Sequence, residues 1–130
     1  MINEVITLVT ANARYGSRYL VLDETPEMTL EAGLGQTVAV IVTELLELMI
    51  SREPATDQID PIVTTCIERT NDGLQITVAD REAVRPDDTL VDRTLAATFA
   101  LLEGFGGSIN EKDDFGYEVE VTLPEPNNAV

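Results

Sequence analysis

Carboxylates dominate the chemistry of this chain: 24 aspartate and glutamate residues stand against 8 lysine and arginine residues, and histidine is absent. Without an imidazole there is no serine–histidine or cysteine–histidine nucleophile pair, no histidine-ligated zinc and no phosphohistidine intermediate on this chain. The single thiol, Cys66, sits in the β-patterned run from Ile62 to Ile67. That setting predicts a buried, reduced side chain rather than a nucleophile or ligand, and no disulfide can form within one chain. Two carboxylates stand out by position. Glu44 opens Glu44-Leu45-Leu46-Glu47-Leu48 inside an apolar helical pattern, and Asp80 ends a strand pattern and precedes Arg81-Glu82-Ala83-Val84. Taken singly, Glu44 is one polar position of an amphipathic helix and Asp80 is a turn residue.

The elements that must position these groups follow from periodicity. Val38, Ile41, Leu45, Leu48 and Met49 recur at three- and four-residue spacing and predict a core helix from about Gly35 to Ser51. Ile62–Arg69 and Leu74–Asp80 read as strands joined by Thr70-Asn71-Asp72-Gly73, where Asp-Gly supplies the positive φ of a tight hairpin. A second helix is predicted from a cap at Asp88 or Thr89 to Glu103, with Val91, Leu95, Phe99 and Leu102 inward and Gly104 ending it. Tyr117, Val119, Val121 and Leu123 alternate with Glu118, Glu120 and Thr122, the pattern of a strand with one wet face, and Ser108–Lys112 is its expected partner. Near the start, Tyr19 to Leu22 is a strand, while residues 2–14 fit a short helix through Ile2, Val5, Ile6 and Val9 and also allow a strand. The fold class is therefore α+β: a two-layer sandwich of a mixed, mostly antiparallel sheet with helices packed on one face.

At 130 residues and 44% hydrophobic content the chain suits a single domain, 1–130, with its core at about 18–124 and a flexible tail at 125–130. A net charge of −16 repels nucleic acid and anionic lipid, and describes either a solvated surface or an acidic docking face for a basic protein. No run of ~18 apolar residues and no signal-peptide pattern is read, so a cytoplasmic protein without a membrane partner is expected.

In order and spacing, the Glu44 helix, the hairpin ending in Val78-Ala79-Asp80, Gly104-Phe105-Gly106-Gly107-Ser108-Ile109 and the closing strand resemble the ATP-binding catalytic domain of sensor histidine kinases, the fold also found in gyrase and Hsp90-type ATPases. The likeness covers roughly Leu20 to Pro124. It implies a helix bearing Glu-x-x-x-Asn, in which the glutamate is a base and the asparagine holds Mg²⁺. Here Glu44 matches the glutamate, and Leu48 replaces the asparagine with a side chain that offers no oxygen to a hard cation. The resemblance further implies Asp-x-Gly-x-Gly, whose aspartate reads adenine. Asp80 is kept, but Glu82 and Val84 replace the glycines. A carboxylate ~4 Å from a phosphate charge would repel it by about 4 kcal/mol at an effective dielectric of about 20. A third motif, Gly-x-Gly at the start of the last core helix, corresponds to Val91-Asp92-Arg93-Thr94, and the ATP lid shrinks to about Arg81–Asp88.

The resemblance with these departures implies a vestigial nucleotide cleft at Glu44, Leu48, Asp80, Glu82, Val84 and Thr94, with no working catalytic residue, metal or cofactor. Its apolar surface is expected at Leu48 and Val84. The expected role is a catalytically silent domain that docks, scaffolds or inhibits, its partner a response regulator or sensor kinase; a homodimer is left open. One alternative is a small ATP-binding kinase or ATPase of the anti-sigma-factor type, using Asp80 and Glu44 with ATP and Mg²⁺. Another is an unrelated acidic α+β binding domain.

Overall fold

A computed structural model describes residues 2–54 and 61–125. Helix α1 (Ile2–Asn12) and a 3₁₀ turn (Gly16–Arg18) lead into β1 (Leu20–Asp23), and α2 (Ala32–Ile50) follows. The hairpin β2 (Ile62–Thr70) and β3 (Gly73–Asp80) comes next, then α3 (Asp88–Thr94), α4 (Ala96–Phe105), β4 (Ser108–Lys112) and β5 (Tyr117–Leu123). The five strands form one sheet in the order β1-β2-β3-β5-β4, with β1 parallel to β2 and every other pair antiparallel. This is the expected α+β arrangement.

Alternation decides which face of the sheet is dry. Val63 and Ile67 of β2, Leu74, Ile76 and Val78 of β3, and Val119, Val121 and Leu123 of β5 are all buried on the helix side. Against them lies α2, whose Val38, Ile41, Leu45, Leu48 and Met49 are also buried. Each such side chain removed from water contributes about 1.5–3 kcal/mol, so α2 is the largest single apolar contribution to the core. By length and hydropathy alone α2 could cross a membrane, but more than half of it is buried inside this fold. It is also the hub of the helical layer, since α1, α3 and α4 each pack against it.

Several boundaries differ from the sequence reading, each for a local reason. Helix α2 begins at Ala32 rather than Gly35, because the Glu31 carboxylate caps it by accepting from the N–H groups of Gly33 (2.7 Å) and Leu34 (3.3 Å). Residues 2–12 are helical, with Ile2 and Val9 buried, and α1 packs on α2. The single helix expected over 88–103 is two helices, broken at Leu95 (φ −96°, ψ 18°). Its cap is Asp87, accepting from Leu90 N–H at 2.8 Å, not Asp88 or Thr89. Gly104 does not end α4; the chain continues to Phe105, and Gly106 takes the left-handed cap conformation (φ +73°) that favours glycine. Cys66 is half-buried on the outer face rather than enclosed. Of the expected flexible tail, Glu125 is tied down by Arg69 at 3.0 Å, and 126–130 lie outside the described residues.

Candidate functional site

Asp80 ends β3 and is almost wholly buried, at 2% side-chain exposure. A buried carboxylate needs partners for both oxygens. Oδ1 accepts from the Glu82 N–H at 3.0 Å, closing a tight turn as the chain leaves the strand. Oδ2 pairs with the guanidinium of Arg52 at 3.2 Å. Arg52 lies just past the C-terminus of α2, and a second guanidinium nitrogen donates to the Val84 carbonyl at 3.1 Å. Its own carbonyl accepts from the Tyr19 hydroxyl at 3.0 Å. One arginine thus joins the end of α2, the end of β3 and the loop beyond it. Among the described residues its Nε is buried without a hydrogen-bond partner, the remaining cost of holding a guanidinium there. Burial pushes the Tyr19 phenol above its ordinary range, against the lowering pull of Arg52.

Glu44 is engaged at a different joint. Its Oε1 accepts from the Thr98 N–H at 2.6 Å and from the Thr98 hydroxyl at 2.8 Å. Helix α4 starts at Ala96 after Leu95, which has no side-chain oxygen to cap it. A carboxylate borrowed from α2 therefore satisfies an orphan N–H in the first turn of α4, and negative charge is favourable there. Leu48, one turn on, is fully buried in the core. It offers no surface, which corrects the expectation of an apolar cleft at Leu48 and Val84; Val84 alone of that pair is open, at 77% exposure.

The loop between β3 and α3 is fastened at both ends. The Arg85 guanidinium donates to Glu111 of β4 at 2.6 Å and to Asp88 at 2.7 Å. The buried Tyr117 hydroxyl donates to the same Glu111 at 2.7 Å. The Arg85 guanidinium beside Glu111 holds its carboxyl below the usual range, while burial and the Glu111 charge raise the Tyr117 phenol. Gly116, at φ +87°, abuts the Arg81 backbone so closely that a Cβ would collide with it. Glycine is required there.

The residues singled out by sequence therefore fall in different places. Asp80 and Glu82 line one recess of ≈ 420 Å³, and Thr94 lines another of ≈ 450 Å³ with Val9, Thr43, Glu47 and Leu90. Glu44 and Leu48 serve a helix joint and the core. The position where the resemblance expects a cation ligand is a buried leucine with no oxygen to offer, and the aspartate expected to read the base accepts one hydrogen bond on each oxygen from the protein itself. Sequence spacing does not point to Arg52, Thr98 or Arg85. With only 8 basic residues, each was a candidate partner for a buried acid, but nothing local says which reaches Asp80.

No protein-family model and no curated protein sequence matches the chain. Solved structures do match. The blue-light activated histidine kinase EL346 of Erythrobacter litoralis superposes with a TM-score of 0.74 at 17% identity, over 95% of this chain and 40% of that one. The catalytic domain of histidine kinase ThkA gives 0.64 at 14% identity, over 95% and 91%. The mycobacterial sensor histidine kinase MprB gives 0.61 at 14% identity, over 95% of each chain. This chain spans only 40% and 57% of the first two solved chains, the EL346 kinase and its histidine kinase domain. The fold is that of a histidine kinase catalytic domain.

Proposed function

We propose that this histidine-kinase-like domain holds no nucleotide and acts by binding a protein, a response regulator or a sensor kinase, in the cytoplasm of a bacterial signalling system. The observation that supports this most is the closure around Asp80. An adenine amino group would there have to share a buried carboxylate already engaged by a guanidinium and a backbone N–H, and would offer only a neutral donor against a charge-assisted one. Leu48 and the Glu82 charge act in the same direction on the phosphate side. A working ATPase or kinase of the anti-sigma type draws no support from Glu44, whose Oε1 is occupied by Thr98. Protein binding suits a surface with a net charge of −16, which favours basic partners and disfavours polyanions.

Thermal unfolding with and without Mg-ATP tests the reading. No shift is expected. Ligand at ~100 times its dissociation constant would stabilise the fold by about 2.7 kcal/mol, and a shift of that size would overturn it. Leu48→Asn is expected to leave ATP without effect, because the new amide enters an apolar core and Arg52 still holds Asp80.

A further inference from the structure

Among the described residues no helix covers the outer face of the sheet, and the strand register shows what that face presents. Leu22 neighbours Thr64, Thr64 neighbours Ala79, and Ala79 neighbours Glu118. In the next row Cys66 neighbours Thr77, which neighbours Glu120. At these positions β2 and β3 carry small side chains, while larger ones stand on β1, at the start of β2 and in the turn before β5. On the β1 side stand Leu20, Leu22 and Ile62, exposed by 50%, 43% and 43%. On the other side stands Phe115, at 92%, beside Glu118. Two recesses of ≈ 420 and ≈ 470 Å³ share Glu24, Thr64, Ala79, Asp80 and Arg81 in their walls and make one continuous trough. Large apolar side chains left in water on both walls of one concavity mark a recognition surface rather than scattered exposure.

We propose that this trough binds an extended segment of a partner protein in which large apolar side chains alternate with lysine or arginine. The floor of Thr64, Cys66, Thr77 and Ala79 leaves room for a backbone, Leu22, Ile62 and Phe115 offer apolar contact, and Glu24 and Glu118 rim the trough with negative charge. Arg81 is the basic group in its walls, and Lys112 is engaged by Glu118 (3.5 Å) and Glu120 (3.4 Å). A second copy of this chain would bring another −16 charge against the same rim, so complementarity favours a basic partner over self-association. This deepens the reading above, resting on its protein-binding half and not on its nucleotide-silent half.

Cys66 is the chain's one cysteine and lies on the trough floor, so its reaction rate with a maleimide reports occupancy in the unaltered protein. The probe is a short synthetic peptide alternating lysine with leucine, and its control alternates lysine with serine. The leucine peptide is expected to slow Cys66 modification and the serine peptide to leave it unchanged. Leu22→Ser is expected to weaken the leucine peptide by about tenfold, the order expected for losing an apolar anchor. Leu8→Ser, an exposed site on α1, should leave binding as it was. Equal protection by both peptides, or undiminished binding to Leu22→Ser, would overturn the trough. A response regulator or sensor kinase retained equally by the unaltered chain and Leu22→Ser would also overturn it while leaving protein binding intact; an ATP-induced shift in melting would overturn the nucleotide-silent half of the reading and leave the trough standing.

Discussion

The two faces of the sheet treat their functional groups in opposite ways. On the helix side, the carboxylates that the kinase pattern would use are held by the protein itself: Asp80 by Arg52 and the Glu82 N–H, Glu44 by Thr98. On the outer side, leucine, isoleucine and phenylalanine stay in water above a floor of small residues. The difference separates side chains that hold the fold together from side chains that stay open to solvent, and the two meet at the end of β3, where Asp80 and Glu82 also line the outer recess. Residues on the first face should act mainly on stability, and residues on the second mainly on binding.

That contrast can be broken most directly at Asp80. Asp80→Ala leaves the Arg52 guanidinium facing a site with no counter-charge, and a loss of about 3 kcal/mol in denaturant unfolding is expected. A cost near zero would mean the pair is not what closes this end of the sheet. The next effect is at Glu44. Glu44→Ala removes the cap of α4 and is expected to cost about 1–2 kcal/mol, whereas Glu44→Gln, which keeps an acceptor, should lose less. Equal stability of all three forms would make the helix joint dispensable.

The smallest effect sharpens the boundary between the faces. Arg85 lowers the Glu111 carboxyl below its ordinary value of 4.5. In the folded chain Glu111 therefore binds fewer protons than in the unfolded chain, and stability rises with pH in the window between the folded value and about 4.5. Above that window the contribution is fully present; as pH falls through the folded value it is lost. Glu111→Gln should flatten the acid limb of a stability–pH curve slightly, less so in high salt because the pair is partly exposed. An unchanged limb would show that the loop is held by Gly116 and its neighbours instead.

Most of the architecture was legible because it rests on period. The alternation in β3 and β5, the Asp-Gly hairpin and the apolar stripe of α2 each encode a local shape that tertiary packing then keeps. The break at Leu95 was hidden, because Val91, Leu95 and Leu102 are buried on both sides of it and the inward stripe continues across. The candidate site was legible as positions but not as partners. Glu44 and Thr98 lie 54 residues apart and Arg52 and Asp80 lie 28 apart, distances over which spacing carries no information about who meets whom. The trough was equally unreadable, since it arises from small residues on two strands coming into register. Cys66, whose apolar β pattern predicts burial, lies half-exposed on the outer face.

The parallel pairing of β1 has a consequence for how the molecule assembles. β2 and β3 form a local hairpin, as do β4 and β5, but Leu20 meets Ile62 only after the whole of α2 has been laid down between them. Closing that long span costs entropy that nearby contacts do not repay at once. The pairing of β3 with β5 closes a span of similar length, but β1 has four residues and pairs on one side only, so it is the shortest strand of the sheet and has the fewest ladder partners to hold it. Whatever settles against it would act as a clamp on the least anchored edge of the chain.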